Sequence, residues 1–491
     1  MHLTASDIYS YYRPSICRLR CYYRNKGLPE GEPSPYEQII LRLGQRHEKA
    51  HLATLGAFAD LSAGSIEQRR QRTEDEVRNG TQVIYQGVLT AKVEVNGVPC
   101  DIVGVPDFMI KGGSRSYAVR DSKMSRRITE DDHPEILRQL RLYGWLHEQV
   151  MGVPPARLEV HAGTGEIVPV DYDGGRTALE ALSDIVSAAS SPDAPYEPVG
   201  WSKCGPCGYK TVCWGAAEKA KDVALVEGVD QGLTVALRQA GVTTYDELLA
   251  KFDAGRLSDF QKPHGARMQR VGKRAESILR MASALSTRRE IMIGAPDIPN
   301  SANYVMFDLE GLPPQMDELD KIYLWGTQVF GRNPGQFLGA TAGFGEDGDR
   351  EGWSRFLANA DAIFKDHGDI PFVHWAAYEK THIDSYVERY GDIKGLAARV
   401  RGNLLDLLPV TKRSIALPLP SYSLKVVEKH VGFKRTQDEY GGDWAMAKYI
   451  EAMETQNEEV RTQLMNDILT YNREDLEAMW AVFEWLRKRM P

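Results

Sequence analysis

Apolar residues in the first 220 positions recur at helical and then at extended spacing. Residues 34–58 carry them at helical spacing, which predicts a helix. Residues 81–124 are rich in β-branched side chains and are interrupted by Asn96-Gly97, so this segment is predicted to be a β-meander of three strands. A helix is predicted over 133–150, and the segment RLEVHAG predicts a further strand. The predicted order is helix, three strands, helix, strand.

The pattern of the remaining chain changes twice. From residue 222 to residue 287 it is helical, and after a Pro- and Gly-containing linker the chain returns to apolar strands. The segments NYVMFDLEG, IYLWGTQVF and PFVHW are predicted strands, with a helix around 351–366 and helices from there onward. We therefore expect an α/β multidomain fold, with domains at 1–218, 222–290 and 300–491.

Length and composition agree with this division. At roughly 150 residues per domain, 491 residues suggest about three domains. The content of 42% hydrophobic and 26% charged residues is that of an ordinary globular protein. No apolar run approaches the ~18 residues of a membrane span, and the first residues lack the basic and apolar regions of a secretory signal. We expect a cytoplasmic protein with no membrane partner.

Charge is distributed unevenly. The net charge of −8 argues against a passive coat for nucleic acid, which would be basic. Residues 301–491 hold 22 basic and 30 acidic side chains, whereas residues 256–290 hold 9 basic and 3 acidic ones. The acidic block and the basic stretch are therefore expected to serve different functions.

The six cysteines are too few for a disulfide framework, but their placement predicts a metal site. Three of them lie within ten residues of one another, in a loop with glycine and proline, and a distant fourth would complete the site. Thiolates spaced in this way hold either Zn²⁺ or an iron–sulfur cluster, and the spacing alone does not decide between them. The loop cysteines are Cys204, Cys207 and Cys213, the candidates for the fourth ligand are Cys17 and Cys21, and Cys100 is expected to be a buried core thiol.

A first group of polar residues lies among the predicted strands of the N-terminal domain. Asp107 follows one strand, and Asp121 and Lys123 lie at i and i+2 on the next, so the latter two project from one face. Two carboxylates and a lysine in apolar surroundings can bind Mg²⁺ and hold a water for attack on phosphate. His47 on the preceding helix is a candidate further ligand or proton relay.

Two further residues could serve this site. Gln139 and Tyr143 lie at i and i+4, on one face of the predicted helix 133–150. Each feature also has an ordinary explanation, because an isolated Asp-x-Lys is usually a surface ion pair and a glutamine or tyrosine on a helix often only packs. The ordered set of all six residues favours a site.

That ordered set resembles the RecB-like branch of the PD-(D/E)xK nucleases over about residues 1–215. The resemblance implies that His47, Asp107 and Asp121 bind metal and that Lys123 stabilises the pentacovalent phosphate. It also implies that Gln139 and Tyr143 position DNA. Asp121 stands where Glu is commoner in this family.

Some members of that branch, including the CRISPR-associated exonucleases and the AddB subunit, add a [4Fe-4S] cluster that clamps the two ends of the domain. The four residues that fit this layout are Cys17, Cys204, Cys207 and Cys213. The resemblance thus favours iron–sulfur over zinc, with Cys21 ranked second to Cys17.

The helical middle contains glycine turns at the starts of its predicted helices. Such turns expose backbone N–H groups that can bind phosphate. The segment resembles helix-hairpin-helix modules, which bind the DNA backbone without reading its sequence. The alternative is a helical spacer with a solvated basic face.

A second group of carboxylates lies in the C-terminal domain. Asp308 and Glu310 lie at i and i+2 on one apolar strand, and Tyr471 and Asp475 lie at i and i+4 on a helix. Glu379 follows a short apolar strand. Three or four gathered carboxylates are what two-metal phosphodiester hydrolysis requires.

This second group resembles the DEDD exonucleases of the RNase H-like superfamily, notably the YprB group, over about residues 300–491. The resemblance implies that Asp308, Glu310 and Asp475 bind metal and that Tyr471 orients the attacking water. Glu379 departs from the pattern, which has Asp at that motif, and Asp406 is a further candidate ligand. The alternative is a fold of this type that binds nucleic acid without cutting it.

The sequence as a whole predicts a metal-dependent nuclease with two sites, using Mg²⁺ or Mn²⁺. DNA that is single-stranded or has free ends is a likelier substrate than RNA, and the setting would be DNA repair, processing or defence. The alternatives are an RNA-processing exonuclease that uses only the C-terminal site, and a non-catalytic nucleic-acid-binding scaffold.

Overall fold

The structure, a computed structural model, describes residues 1–113, 115–265, 267–313, 320–438 and 440–490. It divides into two compact units. The N-terminal unit consists of Met1–Pro33, Glu37–Glu197 and Ser202–Thr211, and the C-terminal unit consists of Ser34–Tyr36, Pro198–Trp201 and Val212–Pro491.

The N-terminal unit combines helices with short strands. Its helices are α1 (Ala5–Tyr12), α2 (Arg18–Asn25), α3 (Pro35–Thr54, mostly in this unit), α4 (Ile66–Asn79), α5 (Pro134–Met151) and α6 (Arg176–Ala189). Its strands are β1 (His2–Thr4), β2 (Ala59–Asp60), β3 (Val83–Tyr85), β4 (Leu89–Val95), β5 (Val98–Gly104), β6 (Phe108–Lys111), β7 (Tyr117–Ser122), β8 (Arg157–His161) and β9 (Ile167–Val170). The helices α7 (Trp201–Cys204) and α8 (Lys210–Lys219) contain residues of both units.

These strands form two sheets. One has the order β1-β5-β4, and the other has the order β2-β3-β6-β7-β8-β9. The predicted meander over 81–124 is therefore wrong in one respect. Its strands are five rather than three, and β5 pairs with both β4 and β1, so that β4 and β5 lie outside the sheet of β3, β6 and β7. The predicted helices at 34–58 and 133–150 and the strand at RLEVHAG are confirmed.

The face of β7 toward α5 carries the first candidate site. Tyr117 and Val119 belong to the hydrophobic core that α5 shares. Asp121 has the same parity along the strand, so it lies on this face, and Arg120 and Ser122 lie on the opposite one.

The C-terminal unit begins with short helices and a hairpin and ends with a long helix. Its helices are α9 (Gln231–Gln239), α10 (Tyr245–Lys251), α11 (Ala254–Asp259), α12 (Ala275–Thr287), α13 (Gly345–His367), α14 (Tyr378–Tyr390), α15 (Leu396–Gly402), α16 (Leu407–Ser414), α17 (Leu424–His430), α18 (Gly442–Glu454) and α19 (Glu458–Arg487). Its strands are β10 (Gln261–His264), β11 (Arg267–Arg270), β12 (Ile291–Met292), β13 (Asn303–Leu312), β14 (Lys321–Gly331), β15 (Leu338–Thr341), β16 (Phe372–His374), β17 (Leu404–Asp406) and β18 (Ile415–Ala416).

The main sheet of this unit has the order β15-β14-β13-β16-β17. β13 is central, antiparallel to β14 and parallel to β16. Its side chains alternate between two cores. Phe307 and Leu309 pack into a cluster with Trp325 and Phe356, whereas Tyr304 and Met306 pack with residues of α19. Asp308 and Glu310 share the parity of Met306, so they project toward α19.

Two stretches that were predicted to be helical contain strands. Residues 222–287 are not helical throughout, because β10 and β11 form an antiparallel hairpin within them. The prediction of helices alone after PFVHW is also wrong, since β17 and β18 lie there. Residues from Val223 to Ile298 also share one hydrophobic core with residues from Tyr304 to Leu486. None of the described helices is long and apolar enough to cross a membrane.

Candidate active sites

Asp107 and Asp121 are tied together through the backbone. The amide of Asp107 donates to Oδ1 of Asp121 at 3.1 Å, and the amide of Ser122 donates to Oδ2 of Asp107 at 2.7 Å. These two reciprocal hydrogen bonds fix one carboxylate just before β6 and the other near the end of β7.

Lys123 neutralises this pair. Its Nζ lies 2.9 Å from Oδ2 of Asp121 and donates to Oε1 of Gln139 at 3.1 Å. Burial acts to lower the pKa of Lys123, but the charges of Asp121 and Asp107 outweigh it and hold that pKa above its ordinary value. The lysine is therefore a fixed positive charge at the carboxylates.

Asp107 resists ionisation. Burial raises its pKa well above the ordinary value, the charges of Asp121 and Glu48 raise it further, and Lys123 opposes them. A cation placed here would relieve this repulsion. Glu48, which the sequence analysis missed, accepts hydrogen bonds from Tyr85 and Gln86, each at 2.8 Å. Its position directly after His47 in the sequence could have marked Glu48 as a candidate site residue.

His47 belongs to a stack of three imidazoles. Its ring lies 4.2 Å from that of His161, which in turn lies 3.9 Å from that of His51. Nε2 of His47 is buried and has no hydrogen-bond partner among the residues that the structure describes. His161 contacts Ser122 at 3.0 Å, on the face of β7 opposite Asp121. Although all three are described, His47, Asp107 and Asp121 do not converge within 4.8 Å as a ligand trio.

Tyr143 and Gln139 share a face of α5, as predicted, and both are buried. The charges of Asp121 and Asp107 contribute to raising the pKa of Tyr143 well above its ordinary value, after the larger effect of burial. In this structure Gln139 orients Lys123, and Tyr143 lies near enough to the carboxylates for their charges to act on it.

The second candidate site gathers three carboxylates. Ligand oxygens of Asp308, Glu310 and Asp475 all lie within 4.8 Å of one another, and among the described residues this is the one His, Cys, Asp or Glu group that converges so closely. Burial and the charge of Asp475 raise the pKa of Glu310 to about 8, and the same two causes raise that of Asp308 well above its ordinary value. Oxygen ligands of concentrated negative charge are the donor set that Mg²⁺ and Mn²⁺ take.

Two side chains hold these carboxylates in place. Nδ2 of Asn472 donates to Oδ2 of Asp308 at 2.8 Å. Arg435 pairs with Asp475 and makes two hydrogen bonds to the buried Glu428, at 2.8 and 2.7 Å. Neither was identified from the sequence, although Asn472 lies directly between Tyr471 and Asp475 on α19.

Asn472 fits because the facing strand carries a glycine. A Cβ at Gly326, the partner of Asp308 in β14, would lie 1.7 Å from Oδ1 of Asn472. No side chain can occupy that space, so Gly326 is what allows α19 to bring its amide against β13.

Tyr471 lies beside the trio and contacts the ammonium group of Lys425. Its hydroxyl accepts a hydrogen bond from Lys425, and the Lys425 ammonium lies 4.4 Å from the centre of its ring. The Trp444 ring contacts Tyr471 edge-on, at 6.0 Å between centroids. Lys425 and Trp444 line a cavity of about 710 Å³, together with Tyr440. This space, beside the carboxylates, is large enough for a nucleotide.

Glu379 and Asp406 are not part of the trio. Glu379 is buried and lies 3.1 Å from Nδ1 of His374. Asp406 caps α16, accepting from the amides of Leu408 at 3.1 Å and Ala376 at 3.0 Å. Both carboxylates are thus occupied by protein partners. The sequence predicted Glu379 as a ligand, and the structure does not bring it to the trio.

The segment with Cys204 and Cys207 is tied to α2 within the N-terminal unit. Cys17 is the residue before α2. Glu197 accepts hydrogen bonds from the backbone and the side chain of Arg18, at 3.2 and 3.0 Å, and lies 3.4 Å from Lys203. The neighbours of Cys17 and Cys204 therefore share one carboxylate.

The other cysteines occupy distinct environments. Cys207 is linked to Cys204 by a backbone hydrogen bond of 3.1 Å, and Cys213 lies on α8. Cys21 and Cys100 are buried in the hydrophobic core of the N-terminal unit. No three sulfur atoms of the described cysteines in that unit lie within 4.8 Å of one another.

Known families match both halves of the chain. Residues 2–214 match the sequence model of the PD-(D/E)XK nuclease superfamily, and residues 305–487 match that of the RNase_H superfamily. These matches confirm the predicted α/β multidomain fold and support a nuclease that acts on nucleic acid.

Whole-chain comparisons add little to these two matches. No curated protein matches the chain. A solved structure titled "Crystal structure of SSO0001" is similar at 16% identity over 43% of this chain and 85% of its own, with a TM-score of 0.23. A TM-score this low carries no argument about fold or function.

Proposed function

We propose that this chain, which joins a PD-(D/E)XK nuclease superfamily domain to an RNase H superfamily domain, hydrolyses phosphodiester bonds of DNA at two metal-dependent sites. The observation that carries the proposal is the convergence of Asp308, Glu310 and Asp475 within 4.8 Å. Carboxylates that repel one another strongly enough to raise their own pKa values fit a divalent cation, which would relieve that repulsion.

At the C-terminal site a divalent cation would activate water and neutralise the leaving oxygen. The residues of the chain supply the rest. Asn472 holds the carboxylate of Asp308 in place by donating to it, and Arg435 fixes the position of Asp475. Tyr471 orients water through its hydroxyl, which Lys425 holds. Lys425 forms no ion pair with a described carboxylate, so its charge is available to a phosphate.

At the N-terminal site Asp107 and Asp121 would bind the cation, with His47 as a further ligand, and Lys123 would stabilise charge on the phosphate. The unpartnered Nε2 of His47 supports this role. Gln139 positions Lys123, and Tyr143 completes the wall of the site, where the family resemblance gives both a role in positioning DNA.

We also propose a [4Fe-4S] cluster on Cys17, Cys204, Cys207 and Cys213. Soft thiolates in this layout suit iron–sulfur. Tetrahedral zinc, with bonds of about 2.3 Å, would draw sulfurs to within about 4 Å of one another, and the cysteines of the N-terminal unit are not so gathered. Anaerobically purified protein should be brown, with absorbance near ~400 nm. A colourless protein that contains zinc would refute the assignment.

The decisive experiment is a nuclease assay on end-labelled single- and double-stranded DNA and RNA with Mg²⁺ or Mn²⁺. Asp121→Ala and Asp308→Ala, alone and combined, are compared with Asp366→Ala, an exposed aspartate on α13. We expect each site variant to remove one activity and the double variant to remove all cleavage. Retained cleavage in the double variant would refute the proposal.

The same assay separates the alternatives. Cleavage of RNA alone that is lost with Asp308→Ala would identify an RNA-processing exonuclease. Metal-independent binding of nucleic acid without any cleavage would identify a scaffold. DNA cleavage that depends on both Asp121 and Asp308 supports the proposed activity at both sites.

A further inference from the structure

The hairpin formed by β10 and β11, called here the basic hairpin, is anchored at its base. The amide of Val271 donates to the carbonyl of Phe260 at 3.0 Å, and Val271 is buried in the core of the unit. Lys262 is buried and pairs with Asp230, the residue that caps α9. These contacts fix the base of the hairpin.

Close packing against α9 also holds the hairpin in place. A Cβ at Gly232 would lie 2.7 Å from the carbonyl oxygen of Pro263. Only glycine at this position lets β10 approach the first turn of α9. Its orientation is thus set by the protein itself.

The two faces of the basic hairpin differ. Pro263 pairs with Met268, and Gln261 pairs with Arg270. Alternation along each strand places these four side chains on one face and the buried Lys262 on the other. All four side chains of β11 are exposed, and Met268 is 61% exposed. The free face therefore presents an apolar pair flanked by polar and cationic side chains.

The charge of this region is uniform in sign. Between Phe260 and Ala275 the sequence has five basic residues and no acidic one. Within the described part of the chain Arg267 and Lys273 form no ion pair. Arg270 lies 3.3 Å from Asp259 at a side-chain exposure of 69%, where such a pair contributes little. The surface therefore carries positive charge that the protein does not neutralise.

We propose that the basic hairpin is a docking element for double-stranded nucleic acid. A two-stranded ribbon can lie in the minor groove of a duplex. Arg270 on the free face and Arg267 on the other would reach phosphates on the two sides of the groove. Methionine and proline are among the residues that contact and wedge bases apart, which accounts for an exposed Pro263–Met268 pair. The inference adds a groove-binding element to the proposed nuclease and rests on nucleic acid being its substrate.

Charge complementarity is tested by binding without divalent metal, so that cleavage plays no part. Fluorescence anisotropy with a labelled duplex is measured between about 50 and 200 mM salt. Arg267→Gln/Arg270→Gln should weaken binding about tenfold or more and reduce the slope of log affinity against log salt by about 1.8, the value for two phosphate contacts. The matched control is Arg350→Gln/Arg355→Gln, two exposed arginines of α13, which should bind as the unmodified protein does.

The apolar pair is tested separately. A duplex containing 2-aminopurine reports unstacking as a rise in fluorescence on binding. Met268→Ser should lose this rise and leave the salt slope unchanged, whereas Met292→Ser, an exposed methionine on β12, should retain it. Equal far-ultraviolet circular dichroism of all variants excludes unfolding as the cause.

The inference is overturned if the arginine variant keeps the affinity and slope of the unmodified protein, or if the α13 control weakens binding equally. It is also overturned if a single strand of the same sequence binds as tightly as the duplex. A protein that docks duplex through this hairpin but cleaves nothing would uphold the inference and refute the proposed nuclease activity.

Discussion

The side-chain amide of Asn472 donates to Asp308 across 2.8 Å, and its own carbonyl oxygen has no hydrogen-bond partner in the described part of the chain. This donor stabilises the ionised carboxylate that the cation needs. A hydrogen bond to a charged group contributes about 1.5–3 kcal/mol, so Asn472→Leu should lower kcat at the C-terminal site by about tenfold to a hundredfold. Gln463→Leu, on the exposed side of the same helix, is the control in the exonuclease assay. Unchanged kcat in Asn472→Leu would contradict this role.

Gly326→Ala should reproduce the loss of activity seen with Asn472→Leu. The new Cβ would lie 1.7 Å from Oδ1 of Asn472 and must push that side chain away from Asp308. Gly335→Ala is the matched control, since its Cβ would meet Val329 at 3.4 Å, an ordinary contact. Steady-state cleavage and thermal melting are measured on both. If both glycine variants are equally active, the close approach at Gly326 is not required.

Divalent metal should stabilise the protein through the acidic trio. Without it, buried carboxylates of like charge repel each other, which is why the pKa of Glu310 is raised to about 8. Mn²⁺ should raise Tm at pH 8 by about 2–4 °C for each kcal/mol of binding free energy. In metal-free buffer Asp308→Asn should melt higher than the unmodified protein, and it should respond less to Mn²⁺. A lower metal-free Tm for Asp308→Asn would argue against this repulsion.

His147 should make the N-terminal unit sensitive to acid. It is fully buried and its ring accepts a hydrogen bond from the amide of Tyr117 at 3.1 Å. Burial lowers its pKa to about 4. The unfolded chain takes up a proton near the ordinary value of about 6.5, so the stabilisation is present above that pH and is lost as pH falls toward 4. The loss amounts to about 3 kcal/mol.

This acid sensitivity is measured by urea unfolding of the N-terminal unit at pH 7 and pH 5. His147→Gln keeps an acceptor for the amide of Tyr117 and cannot take up a proton. Its free energy of unfolding should therefore change less between the two pH values. An equal change in both proteins would assign the acid sensitivity to other groups.

Cys17 and Cys21 should differ in their effect on the proposed cluster. Cys21 packs into the hydrophobic core with Leu3 and Ile8, whereas Cys17 precedes α2 and is only partly buried. Cys17→Ser should abolish the absorbance near ~400 nm, and Cys21→Ser and Cys100→Ser should retain it. Retention by Cys17→Ser with loss in Cys21→Ser would exchange the two assignments.

The sequence predicted what periodicity and short spacing encode. Asp308 and Glu310 lie on one face of β13 because a strand repeats every two residues, and Asp475 lies one helical turn beyond Tyr471. The reciprocal placement of Asp107 and Asp121 also followed from two neighbouring strands. In each case the predicted relation depends on residues close together in sequence or on adjacent strands.

What the sequence did not predict depends on distant contacts. Arg435 meets Asp475, and Gly326 makes room for Asn472, only after α19 has packed onto β13. The hairpin at 261–270 contains Pro263 and exposes nearly all of its side chains, so no alternation of apolar and polar residues marked it. The partners of Glu379 and Asp406 are likewise set by β16 and β17 pairing side by side.

The core that runs from Val223 to Leu486 determines how this half of the chain unfolds and whether it can be divided. The short helices before Asn303 pack into the same core as the sheet and α19 and should melt in the same cooperative transition. They are therefore not an independently folding domain that could be removed or transferred to another protein. A fragment that ended in the linker before Asn303 would lose the part of this core that lies beyond Asn303, including Tyr422, whose hydroxyl contacts the sulfur of Met281, and should aggregate rather than fold.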